Sequence, residues 1–111
     1  MRVEQHLDTC IIRLHGEFDL SCDEHFQVEL GRAIDEQTET LVLDLRGLEF
    51  IDSTGLRMLV QLDRLAERQG IDFTVLCADG QVKFVLKETG LDRILPIVDP
   101  AGVVPRSEPA I

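Results

Sequence analysis

Apolar residues along this chain of 111 residues fall into two alternating patterns: short runs, and longer stretches with a period near 3.6. Val3 to Leu7 and Cys10 to His15 flank Asp8-Thr9, which predicts a hairpin of two short strands. Ser21 with Glu24 three residues later has the form of a capping box, each side chain satisfying a backbone N–H at a helix start. The helix it opens carries Phe26, Leu30, Ala33 and Ile34 on one face. Thr40 to Leu45 contains the nearly continuous run Leu41-Val42-Leu43-Asp44-Leu45, which predicts a central strand buried on both faces. A second helix is marked by Leu56, Leu59, Val60, Leu62, Leu65 and Ala66, with Gly70 placed to end it in a left-handed cap. Asp72 to Cys77 predicts another strand, after which Asp79 is positioned to cap a third helix carrying Val82, Val85 and Leu86 and ending at Gly90. Ile94 to Val98, around Pro96, predicts a last short strand on a sheet edge, where proline is tolerated.

The expected order is β-β-α-β-α-β-α-β. An opening hairpin followed by right-handed β-α-β crossovers gives an α/β fold, a mixed and mainly parallel sheet of about five strands with packed helices. The length suits one domain, expected over residues 1–99. Residues 100–111 carry Pro, Gly and Ser without a clear period and are expected to form a flexible C-terminal tail.

Composition narrows the function. A formal charge of -10 opposes direct nucleic-acid binding, which demands Lys/Arg patches, and opposes an anionic membrane surface. It fits solubility or a partner with a basic face. No apolar run reaches the ~20 residues that cross a bilayer, and the start lacks the pattern of a signal peptide, so a cytoplasmic protein is expected, without membrane insertion. Cys10, Cys22 and Cys77 form no CxxC pair and sit in or beside apolar segments, as reduced core thiols do. His6, His15 and His25 have no ligand-like spacing, so no metal site is expected. No phosphate-binding glycine loop is present, and no cofactor is expected.

The segment Leu43 to Leu56 is the most informative. It runs from a buried strand through a short connection to Asp52-Ser53-Thr54-Gly55 at a helix start. One reading is structural, since Ser, Thr or Asp at an N-cap accepts a hydrogen bond from an unpaired amide. The other places the hydroxyl at an exposed tip of the sheet, within reach of a partner or a modifying enzyme. Catalysis has little support. Ser53 lacks the GxSxG context of a nucleophile elbow, and all three histidines lie in the first 25 residues, leaving no identifiable base. The Asp-Ser/Thr-Gly triplet of aspartic proteases is interrupted by an extra residue between Asp52 and Gly55. No catalytic residue is assigned and no enzyme is expected. Glu17, Asp19 and Asp52 recur near the same predicted sheet end, either as solvated carboxylates favouring helix N-termini or as groups that shape the surroundings of Ser53.

Three segments carry a resemblance. Leu14-His15-Gly16-Glu17-Phe18-Asp19, then Asp44-Leu45 continuing to Phe50-Ile51-Asp52-Ser53-Thr54-Gly55-Leu56, then Val82, Leu86, Gly90-Leu91 and Ile94 together resemble a STAS domain over residues 3–98, the fold of bacterial anti-sigma factor antagonists. The resemblance implies a phosphorylation-controlled switch that binds an anti-sigma factor, itself a serine-protein kinase, and so frees a sigma factor to regulate transcription. It implies phosphorylation on Ser53, with Thr54 secondary, and reversal by a PP2C-type phosphatase. Asp19 and Asp52 are implied as supporting residues, and Glu17 joins them as a candidate partner-binding carboxylate; Gly55 either lets a partner approach closely or serves helix packing. Arg57, where many antagonists carry a small residue, would bear on partner choice. STAS domains also serve as scaffold or transport-regulator subunits that act without phosphorylation, which is the alternative implied.

Overall fold

The computed structural model describes residues 1–18 and 23–98. The elements are β1 (Arg2–His6), β2 (Thr9–Phe18), α1 (Asp23–Ala33), β3 (Thr40–Ile51), α2 (Ser53–Gln69), β4 (Asp72–Leu76), α3 (Gln81–Glu88), a 3-10 turn (Leu91–Arg93) and β5 (Ile97–Val98). Strand order in the sheet equals chain order, β1-β2-β3-β4-β5. The β1/β2 pair is antiparallel and the other three pairs are parallel. The expected element order and sheet type are therefore both present. The Ser21 capping box, Asp19, Cys22 and the 100–111 segment lie outside the described residues.

Three parallel connections that step the same way across the sheet, each right-handed, put all three helices on one face. The core agrees. Cys10, Ile12, Leu41, Leu43 and Val75 project from one side of the strands and join Phe26 and Leu30 of α1, Met58, Leu59 and Leu62 of α2, and Val82 and Leu86 of α3 in one buried cluster. The expectation that β3 would be buried on both faces needs correcting. β3 is the middle strand, but among the described residues a helix layer covers only the side of Leu41, Leu43 and Leu45, and Val42 on the other side is half-buried.

That second side carries a charged cluster instead. Register places Arg2, Arg13, Asp44 and Leu76 in one row across four strands. Asp44 is 6% exposed, the single buried charged residue among those described. Its Oδ2 accepts from Arg13 Nη1 at 2.7 Å and Arg46 Nη2 at 2.9 Å, and its Oδ1 accepts from Arg46 Nε at 2.9 Å and the Arg46 backbone N–H at 3.0 Å. Arg13 Nε donates to Glu4 Oε2 at 2.9 Å, and Arg2 lies 3.2 Å from the same oxygen. Burial pushes the Asp44 carboxyl up, but the Arg46 and Arg13 donors outweigh it and hold the group below its ordinary range. Glu4, hydrogen-bonded by Arg13 and His6, falls to about 2.

Local signals were placed within a residue or two. The hairpin turn is Leu7-Asp8, one position earlier than expected, with Leu7 fully exposed at φ 58. Gly70 ends α2 in the left-handed region, its N–H directed to Ala66 and Glu67 carbonyls. Asp79 does not cap α3. Gly80 occupies that position without a side-chain bond, and Asp79 instead pairs with Lys83 at 3.3 Å, an i,i+4 contact. The buried stripe of α2 is Gly55, Met58, Leu59, Leu62 and Ala66, so Leu56, Val60 and Leu65 lie on its flanks, half-buried.

Two outcomes are expected from these features. A leucine in the left-handed region is strained by about 1 kcal/mol, so Leu7→Asn should raise the urea midpoint of unfolding with an unchanged slope. Carboxylates whose folded pKa is depressed stabilise the fold fully above their unfolded values and lose that contribution as pH falls through the folded ones. Asp44→Asn should therefore cost about 2–3 kcal/mol at pH 7 and much less near pH 2, as read by urea unfolding at the two pH values.

Candidate functional site

β3 outruns its neighbour on one side. β4 pairs with it only as far as Asp44, while β2 follows it to Ile51. Along that shared stretch the register shifts twice, between Arg13 and His15 and between Gly16 and Glu17, each time with an extra residue on β3. Such bulges increase local twist and bend the strand that carries them. Gly16 at φ 75 takes a conformation that side-chain-bearing residues avoid, next to the second shift. At the far end Glu17 pairs with Phe50 and Phe18 with Ile51. The chain then turns at Asp52 straight into α2.

The cap of this turn is made by one residue. Asp52 has extended backbone, φ -108 and ψ -174, and its Oδ1 accepts from the Gly55 N–H at 2.9 Å. The Asp52 carbonyl accepts from the Leu56 N–H at 2.9 Å. Asp52 is therefore the N-cap, and Ser53 is the first residue of the helix proper. Ser53 is exposed, and among the described residues no hydrogen bond uses its hydroxyl. Thr54 behind it is half-buried, and Gly55 is buried. The first turn of α2 contains no acidic residue, so Asp52 is the carboxylate set against the positive end of its dipole.

The sheet end gathers most of the expected site. Glu17, next to last in its strand, is exposed, and Phe50 opposite it is 41% exposed, both near the Asp52-Ser53 turn. Arg57 is exposed and four residues after Ser53, hence on the same side of α2 one turn further on. Asp19 belongs to the segment outside the described residues. Phe50 was not singled out as a site residue from the sequence. Its signal was parity: with Ile51 buried, an alternating strand turns Phe50 outward, but two bulges hide that alternation. Cys10 and Cys77 are buried, and burial pushes both thiols up, away from reactivity. Among the described residues no group of three His, Cys, Asp or Glu side chains is close enough to hold a metal ion. No described helix is long and apolar enough to cross a membrane.

Comparison with known proteins gives a consistent result. The STAS domain profile matches residues 1–101. The chain is 32% identical over 100 residues to an anti-sigma F factor antagonist of Paenibacillus polymyxa, covering 89% of this chain and 86% of that protein. It is 26% identical over 97 residues to the anti-sigma-F factor antagonist RsfA of Mycobacterium tuberculosis, covering 86% and 76%. The fold resembles that of the antagonist SpoIIAA in its unphosphorylated form, with a TM-score of 0.79 at 23% identity over 99% and 97% of the two chains. A solved antagonist from Mycobacterium paratuberculosis gives 0.76 at 25% identity over 86% and 81%.

If Asp52 alone caps the helix, the two adjacent residues separate in a stability measurement. Asp52→Ala should cost about 1 kcal/mol in thermal or urea unfolding, while Ser53→Ala should stay within about 0.5 kcal/mol of the parent.

Proposed function

The chain belongs to the STAS domain family, and from that premise we propose that it is an anti-sigma factor antagonist whose grip on an anti-sigma factor is controlled by phosphate on Ser53. The observation that carries this reading is the division of labour at the start of α2. Asp52 caps the helix, and the neighbouring hydroxyl is left exposed and unengaged at the end of the sheet. Relatives named as antagonists of an anti-sigma factor supply the class of partner, and their names describe antagonism of a protein, not a catalysed reaction.

Phosphate at this position adds about -1.5 to -2 charges and three acceptor oxygens. The first helical residue is a tolerant place for it, because the α2 amides and dipole favour an anion there. Arg57, one turn along the same side, is within the spacing of an i,i+4 ion pair and would draw part of the phosphate charge. The helix thus remains formed, and the change is felt at the docking surface, by charge and bulk. Glu17 and Phe50 pair at the strand ends near the Asp52-Ser53 turn and are proposed to share the docking surface with Asp52, with Thr54 as a secondary acceptor and Gly55 allowing close packing. Asp19 is carried as a supporting residue by resemblance alone. The kinase is the anti-sigma factor itself, a PP2C-type phosphatase reverses the step, and the exchange takes place in the cytoplasm. A partner with a basic face fits the net charge of -10.

A difference of about 2–3 kcal/mol at the interface changes affinity roughly 30–150-fold, enough for a switch. The test is binding of the anti-sigma factor from the same genome to the parent, to phosphorylated parent and to Ser53→Asp, with incorporation of phosphate followed by intact mass. Phosphate on Ser53, absent in Ser53→Ala, with affinity reduced about 30-fold or more, is the expected result. Equal binding by all forms would overturn the switch and leave a scaffold or transport-regulator subunit.

A further inference from the structure

The helix-free face of the sheet holds a cleft of about 290 Å³ lined by Arg2, Arg13, Leu14, His15, Asp44 and Gly47. It is separate from Ser53. Its charged residues lie on the strand side opposite the helices, whereas Ser53 follows the far end of β3.

The inventory of donors and acceptors in this cleft is unbalanced. A carboxylate offers about four acceptor sites, and Asp44 has four filled, one by Arg13 and three by Arg46. Glu4 is likewise engaged at both oxygens, by Arg13 and Arg2 on one and His6 on the other. A guanidinium carries five N–H donors. Arg13 spends one on Glu4 and one on Asp44, and Arg2 makes a single ion contact, with Glu4. Asp44 is saturated and Glu4 has three partners, whereas most of the donors of Arg13 and Arg2 remain. Arg2, Arg13 and Arg46 against Glu4 and Asp44 also leave the cluster net positive on a chain whose formal charge is -10.

The two carboxylates do further work in this arrangement. They fix the Arg13 fork from two sides, so its remaining N–H groups are held in place before a ligand arrives, which lowers the entropy lost on binding. Gly47 contributes no side chain to the cleft, and a Cβ there would already touch His15 and the Leu14 carbonyl at 3.4 Å. The space beside the fork stays open for that reason.

We propose that this cleft binds a small oxyanion, a phosphate or carboxylate group, through Arg13 and Arg2. Charge-assisted bonds from a pre-positioned guanidinium are the interaction such a group would use. The group could belong to inorganic phosphate or to a small organic acid, and two titrations distinguish them.

The full-length chain labelled with nitrogen-15 would be titrated with inorganic phosphate and, separately, with citrate, at constant ionic strength made up with chloride. Saturable shifts confined to the amides around Arg2, Arg13, His15 and Gly47, without movement at Ser53 to Gly55, are expected with at least one anion. Response to phosphate alone assigns a phosphoryl group, and response to citrate alone assigns a carboxylate. Arg2→Gln changes an exposed edge residue and should retain the parent spectrum elsewhere while weakening the affinity about tenfold. Arg13→Lys, which keeps the charge and loses the fork, should weaken it as well. Shifts that are scattered and do not saturate, or equal affinity in the parent and Arg2→Gln, would overturn the proposal.

Discussion

Handedness is the constraint from which the rest of this structure follows. Each β-α-β connection must cross in the right-handed sense, and here all three advance in the same direction across the sheet. The helices then have one face available to them. One side of the three inner strands is apolar and sealed beneath α1, α2 and α3, and the other is left to satisfy itself. The turn into α2 gathers at the C-terminal end of the central strand, where the hydroxyl of interest is found. A doubly wound sheet of the same strands would have covered Asp44 with a helix and removed the cleft.

Asp44 shows what that freedom costs and allows. A carboxylate at 6% exposure in a strand of leucines would be expelled or neutralised without partners. Two arginines, from the adjacent strand and from two residues along its own, supply four donors and keep it ionised. Because Arg13 and Arg46 remain partly exposed, the cluster is tied to water on one side, and the desolvation penalty falls mainly on Asp44.

Much of this was legible in the sequence because periodicity reports burial directly. The five strands and three helices of the described residues, the cap at Gly70 and the left-handed Gly90 just after α3 follow from apolar spacing and from the glycine requirement of the left-handed region. The position of Ser53 at a helix start was legible from the small polar residues after a buried strand. What sequence left open was which of Asp52 and Ser53 caps, because both residue types suit that role and only geometry decides. Continuous apolar character in β3 suggested two covered faces, but Val42 and Asp44 sit on the helix-free side and the run does not distinguish the two cases. Asp79 failed as a cap because its side chain found Lys83 one turn ahead, a competing local contact that residue type does not reveal. Phe50 was hidden by the bulges, which shift the alternation by which a strand announces its faces.

The identity of strand order and chain order has a consequence for how the molecule is made. No strand has to enter between two that are already joined. The antiparallel hairpin is the most local pairing, closing in microseconds, and offers β2 as an edge for β3. Each later strand finds its docking edge built by the segment just before it. A chain emerging from the ribosome with its amino end first can therefore add structure in the order of its translation, and the seat of Ser53 is complete before the last helix has left the tunnel.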